Sequence, residues 1–161
     1  MSTEQTLDPE RTRARTSVRP KEFHFPLTVE WRGGRRVAAL VDGKEPIEIA
    51  PPPVFRGTDP GAWSPEDFLV AASASCLAVT FTGLAERAGL DFTRLAVAAD
   101  GVCGMRRDGR FGFTSMALRL ELETSDDGSK VRELAERAEA TCLVSASLDL
   151  PVETVIVVNG R

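Results

Sequence analysis

Three cysteines and one histidine are the scarcest reactive side chains in this chain, and their spacing limits what they could do. No two cysteines form a C-x-x-C pair, and His24 alone cannot complete a zinc site of ordinary ligand spacing. His24 alternates with Phe23 and Phe25 at a strand start, where a surface or partly buried structural role is expected of it. Metal catalysis is therefore not expected. The chain also lacks a Gly-rich phosphate loop and a G-x-S-x-G elbow, so nucleotide binding and serine-triad hydrolysis have no support. What is left is thiol chemistry.

A free cysteine is by default a small buried hydrophobe, and that reading holds for Cys103, in a strand beside Gly101 and Gly104. Cys76 and Cys142 differ as a pair. Each falls inside a predicted helix that must face the core, with small neighbours on one side: Ala74 and Ser75 before Cys76, Ser145 and Ala146 after Cys142. Two core helices can bring two thiols within the Cα separation of about 4.4–6.8 Å that a disulfide needs, although the sequence does not show that they do.

Reactivity needs more than proximity. A thiol with a pKa of about 8.5 is only slightly ionised at neutral pH, and an arginine lowering it by about two units would make most of it nucleophilic. Candidates are Arg56, in a proline-rich stretch, and Arg35 or Arg36 after a Gly-Gly pair. Glu66 could orient such an arginine through a bidentate pair. Straight helix, however, separates Glu66 from Cys76 by about 15 Å along the axis. A bend, a long arginine bridge or a second subunit would have to close that gap.

The elements that position these residues follow from pattern and punctuation. The 161 residues suit one domain, 42% hydrophobic and 27% charged, with a net charge of −4 that argues against a nucleic-acid surface. The basic cluster "RTRARTSVRPK" (11–21) lies in a polar segment, so residues 1–22 are expected to be a disordered tail and 23–161 a single domain. No apolar run reaches the roughly 18 residues of a membrane span, and the N-terminus has no apolar signal-peptide region. A cytoplasmic protein is expected, in a compartment where thiols stay reduced unless redox chemistry is their role.

"EFHFPLTVEW" (22–31) and "RVAALVDG" (36–43) read as strands joined at Gly33-Gly34, and "KEPIEIA" (44–50) as a third. The stretch 51–63, opening on three prolines, must be a loop, and one of that length is often functional. Ser64 then looks like an N-cap, with Pro65 at the first helical position and Asp67 completing an imperfect capping box. The helix should run to Arg87 or Ala88 and stop at Gly89. Its apolar residues fall on nearly every side, which predicts a fully buried helix. Two strands, 94–105 and 110–123, form a hairpin about "RDG" (107–109). A second helix is predicted over about 128–146 and a last strand over 152–158. The order β-β-β-α-β-β-α-β is α+β, a sheet wrapped around a central helix.

On these residues the chain resembles the OsmC/Ohr family (osmotically inducible protein C and organic hydroperoxide resistance proteins). "SPEDFLVAASASCLAVTF" (64–81) is similar to the family's core helix: Pro-Glu, an alanine-rich apolar stretch, and a cysteine ten residues after the glutamate. "CLVSASL" (142–148) is similar to its second, Cys-Pro-Val-Ser type motif, with Leu143 where proline is usual. "PPPVFRGTDPGAWSPE" and "LAERAGL" look like an uncharacterised branch, and the resemblance covers about residues 25–158. It implies an intertwined homodimer with thiol peroxidase sites at the subunit interface. Cys76 would attack an organic hydroperoxide and become a sulfenic acid, and Cys142 would resolve it as a disulfide. No cofactor would be bound; an external dithiol, such as a lipoylated protein, would act as reductant. Glu66 matches the glutamate that holds an arginine beside the thiolate. Arg56 stands where the OsmC branch has that arginine and Arg35 where the Ohr branch has it.

Two other readings compete. A non-catalytic module could hold an apolar or acyl ligand in a pocket lined by Phe55, Phe68 and Phe81. A hot-dog acyl-thioester fold could use Glu66 or Asp67 as its acid. Neither needs Cys76 and Cys142 within disulfide reach.

Overall fold

The computed structural model describes residues 21–160, so all but the last two residues of the expected polar tail lie outside the described residues. The chain forms β1 (Thr28–Gly33), β2 (Arg36–Leu40), β3 (Ile47–Ile49), a 3-10 turn (Pro53–Phe55), α1 (Pro65–Ala88), β4 (Arg94–Met105), β5 (Phe111–Thr124), α2 (Gly128–Ala140), α3 (Leu143–Ala146) and β6 (Val152–Gly160). The expected α+β order holds. β1, β2 and β3 make an antiparallel meander; β4, β5 and β6 make a second sheet. In that second sheet β5 pairs antiparallel with β4 and parallel with β6. A parallel neighbour needs a crossover, and α2 and α3 supply it.

β1 starts at Thr28, later than the sequence pattern suggests, because its partner β2 ends at Leu40, the residue opposite Thr28. Gly33 and Gly34 adopt φ of 104° and 56°, a turn backbone that suits glycine.

The core lies between the second sheet and the helices. Along β5, Met116, Leu118, Leu120 and Leu122 are buried, while Ala117 and Arg119 between them face out, the period-two pattern of a strand covered on one side. They meet Leu77, Phe81 and Ala85 of α1 and Val131, Ala135 and Ala138 of α2. The Phe81 and Phe92 rings pack at 5.8 Å.

α1 has the ends its sequence announces. Asp67 N–H donates to Ser64 Oγ (3.1 Å) and Ser64 N–H to Asp67 Oδ2 (2.8 Å), so the capping box is complete despite the short aspartate. Gly89 closes the helix at φ 63°. The expectation of burial on every side is corrected. Only the stripe through Ser73, Leu77, Phe81 and Ala85 is fully buried, and Val79 is 70% exposed. By length and a mean hydropathy of 1.9, α1 would also pass as a membrane span. The core helix of a globular domain has the same composition, and the buried stripe packed on α2 and β4 marks α1 as one.

The second predicted helix is two. α2 ends at Ala140; Thr141 turns its hydroxyl back to the Arg137 carbonyl (2.8 Å), and Cys142 takes extended backbone (φ −65°, ψ 110°) before α3 begins. Cys142 is thus the N-cap of a short helix and not a residue inside a long one.

Where β4 crosses α1, Gly101 lacks a side chain for a steric reason: a Cβ there would stand 2.6 Å from Phe113 Cε1 and 2.8 Å from Val70 Cγ2. Overpacking of this kind costs about 1–3 kcal/mol. Gly101→Ala is expected to lower unfolding stability by about that amount in urea titration. Gly104→Ala, whose nearest atom is Thr114 Cγ2 at 3.6 Å, should change it by less than about 0.5 kcal/mol.

Candidate thiol site

Cys76 lies one residue before the buried Leu77, so a helical step of about 100° carries its sulfur to the border of the packed stripe and leaves it half-buried. The joint between α2 and α3 comes up against it there. Thr80, one turn on, the Cys142 thiol and the backbone at Val144 and Leu143 are the groups set around the Cys76 sulfur. Burial pushes the Cys76 thiol up. The backbone at Val144, the Cys142 and Thr80 side chains and the backbone at Leu143 outweigh it and hold the thiol below its ordinary range. Both cysteines are free thiols, and Cys142 is 1% exposed with its sulfur accepting the Ser145 hydroxyl at 3.3 Å. The structure therefore brings Cys76 and Cys142 together.

The charged residues fall elsewhere. No guanidinium is among the groups that lower Cys76, contrary to the sequence-based expectation. Glu66 is in the first turn of α1, and its Oε2 is buried without a hydrogen-bond partner among the described residues. Arg35 donates from Nη1 to the carbonyls of Phe55 (3.0 Å) and Arg56 (3.2 Å). It shares a cleft of about 250 Å³ with Glu66, Pro52 and Ile49. Arg56 acts through its backbone: at φ 62° it caps the 3-10 turn, its N–H donating to the Pro53 carbonyl, while its side chain is exposed. Arg36 is ion-paired with Asp59 at 2.9 Å. Of the three candidate arginines, Arg35 is the one placed beside Glu66.

Glu66 also lines a larger cleft, about 830 Å³, with Phe55, Trp63, Val70, Phe111 and Phe113. Cys103 is in its wall. Burial and then the Glu66 carboxylate push that thiol up. Cys103 is therefore not the buried core filler its strand position suggested; it is half-buried and faces the cleft. Of the three phenylalanines expected to line a pocket, only Phe55 does. Phe68 packs on Trp63 at 5.4 Å and Phe81 belongs to the core. Phe111 and Phe113 take their place; their alternation beside the hairpin turn was a usable signal. Asp67 commits its Oδ2 to the capping box while it also lines this cleft. His24 is exposed, as expected of a surface histidine.

Comparison with known proteins bears on the family and the fold. Residues 57–156 match the family described as OsmC-like protein. The chain is 26% identical over 138 residues to the uncharacterized protein YmaD of Bacillus subtilis (strain 168), covering 82% of this chain and 91% of that one. It superposes with a TM-score of 0.77 on the OsmC-like protein of unknown function VCA0330 from Vibrio cholerae, at 19% identity, covering 84% of this chain and 100% of that one. With an organic hydroperoxide resistance protein from Elizabethkingia anophelis the TM-score is 0.70 at 19% identity, over 89% of this chain and 100% of the other. At these identities the structural likeness is one of fold.

Leu143 gives this site a backbone N–H where a proline would have none. Cys142 already has the extended backbone a residue before proline prefers, and proline is well tolerated as a first helical residue, so Leu143→Pro should fold. Losing the Leu143 N–H removes one group favouring the thiolate, so the Cys76 pKa rises. Iodoacetamide alkylation of Cys76 at neutral pH should slow roughly two- to tenfold, with the rate–pH curve displaced to higher pH.

Proposed function

The chain belongs to the OsmC-like protein family, and on that premise we propose that it is a thiol-dependent peroxidase that reduces organic hydroperoxides. The observation that carries the reading is the juxtaposition of two free thiols, with Cys76 held below its ordinary range by the groups around it. Cys76 sulfur attacks the terminal peroxide oxygen; the O–O bond breaks, an alcohol departs, and Cys76 becomes a sulfenic acid. Cys142 then displaces water from that sulfur and forms a disulfide. An external dithiol, a lipoylated protein for example, reduces it, and no cofactor is bound. The aromatic cleft favours organic peroxides over hydrogen peroxide.

The activating arginine requires a second chain on this reading. Glu66 and Arg35 are at the far end of α1 from Cys76, about 15 Å along the axis. An intertwined homodimer closes the gap, each chain placing Arg35 and Glu66 beside its partner's thiolate. Two features support it: the exposed side of α1 about Val79, and the alternating Phe23, Phe25, Leu27, Val29 and Trp31, each more than half exposed. The cleft itself favours a second reading, a non-catalytic module for an apolar or acyl ligand, which would not depend on the thiols.

Treating reduced protein with one equivalent of cumene hydroperoxide should yield a Cys76–Cys142 disulfide by peptide mass spectrometry, and Cys76→Ser should consume no peroxide. Thiols that remain free would sink the peroxidase, and unchanged binding of an apolar probe by Cys76→Ser would favour the second reading. Co-expressed Cys76→Ser and Arg35→Ala chains test the shared site. Each variant alone should be nearly inactive, and the mixed dimer should recover about half the wild-type activity, because one of its two sites is intact. Sites confined to one chain would give no recovery.

A further inference from the structure

One polar contact at the thiol pair has no part in the first oxidation step. Ser145, in the single turn of α3, donates its hydroxyl to the Cys142 sulfur across 3.3 Å, and the Cys142 thiol in turn stands against Cys76. Cys142 is 1% exposed, so a charge developing on its sulfur must be met by protein groups and not by water.

The surrounding elements offer little else. From Phe68 to Ala85 along α1, Cys76 is the only titratable side chain. The inward face of β5 is Met116, Leu118, Leu120 and Leu122. The last turn of α2 carries Arg137, exposed, and Glu139, half-buried, and beyond α3 stands Asp149, exposed and paired with Arg106 at 3.2 Å. Besides the partner thiol, the Ser145 hydroxyl is the side chain bonded to this sulfur among the described residues.

We propose that Ser145 is a positioning residue for the second cysteine: its hydroxyl steadies the negative charge that Cys142 acquires on becoming a nucleophile. The inference rests on the two-cysteine reading but concerns its second step. In that step the Cys142 S–H bond breaks and a sulfur lone pair forms the S–S bond to Cys76. The S–O bond of the Cys76 sulfenic acid breaks, and hydroxide leaves with the Cys142 proton as water. Cys142 is oxidised, Cys76 is reduced, and no further reagent enters. A hydroxyl already aimed at the Cys142 sulfur meets that charge without rearrangement, which is where a fixed donor helps most.

The step can be isolated without peroxide. In a Cys103→Ser background, dipyridyl disulfide converts Cys76 into a mixed disulfide and releases one pyridinethione; attack by Cys142 then releases a second. With Ser145→Ala the first release should stay within about twofold of the unsubstituted chain. The second should slow by about tenfold at neutral pH. Ser145→Thr, which keeps the hydroxyl, should restore both. Coincident second-release profiles for Ser145→Ala and the unsubstituted chain would overturn the proposal. So would an equal slowing of both releases that Ser145→Thr does not relieve, since that marks a merely structural serine. A chain that consumes no peroxide yet shows the Ser145 effect would refute the peroxidase reading and leave this one standing.

Discussion

The thiol site depends on the packing of one helical stripe. Leu77, Phe81 and Ala85 bury one face of α1 against β5 and α2, and Cys76, one residue off that stripe, inherits its position from them. At the centre of the stripe the thiol would be inert core; on the opposite face it would be an ordinary exposed cysteine. At the border it loses enough water for its neighbours to matter and stays open to attack. The capping box at Ser64 and the stop at Gly89 fix the register that puts it there. Alanines at 135 and 138 let α2 close on α1, and the break after Ala140 turns the chain so that Cys142 meets Cys76.

The same helix treats two thiols in opposite ways. Near its middle, Cys76 is surrounded by fixed hydrogen-bonding groups with no carboxylate among them, and its ionised form is favoured. Near its N-terminal end, Cys103 faces the Glu66 carboxylate in a partly dry cleft, and its ionised form is penalised. Desolvation raises both thiols; at Cys76 the surrounding groups outweigh it, whereas at Cys103 the Glu66 charge adds to it. Residue type alone would not have separated them.

What was legible in the sequence was mostly local. The ends of α1, the Gly33-Gly34 turn and the hairpin between β4 and β5 follow from capping and turn chemistry, which act over a few residues. The separation of Glu66 from Cys76 was legible too, being only helix rise multiplied by sequence distance. The break at Thr141 and Cys142 was not, because neither residue is a strong breaker and Leu143 hides the stop that a proline would announce. The burial of α1 was overread for a different reason. Apolar residues on every side do not say which faces this fold covers, and only the stripe through Ser73, Leu77, Phe81 and Ala85 is packed away. Cys103 was misplaced because its strand faces a cleft at that point, a fact of tertiary packing that Phe111 and Phe113 signal only once the hairpin is built.

The proline-rich loop then acquires a purpose. Arg56 holds a left-handed backbone, a conformation that costs a non-glycine residue about 1 kcal/mol or more. In that conformation its carbonyl and that of Phe55 both receive the Arg35 guanidinium. The strain is thus offset by a cation fixed at the mouth of a cleft that also holds Glu66. There the buried Oε2 has no hydrogen bond, an arrangement that costs about 1–3 kcal/mol when left alone. Among the described residues, a loop under strain, a guanidinium bound to carbonyls and a carboxylate oxygen without a donor are three local disadvantages in one place. On the proposed dimeric reading, an Arg35–Glu66 pair completed around the partner subunit's thiolate would relieve them together.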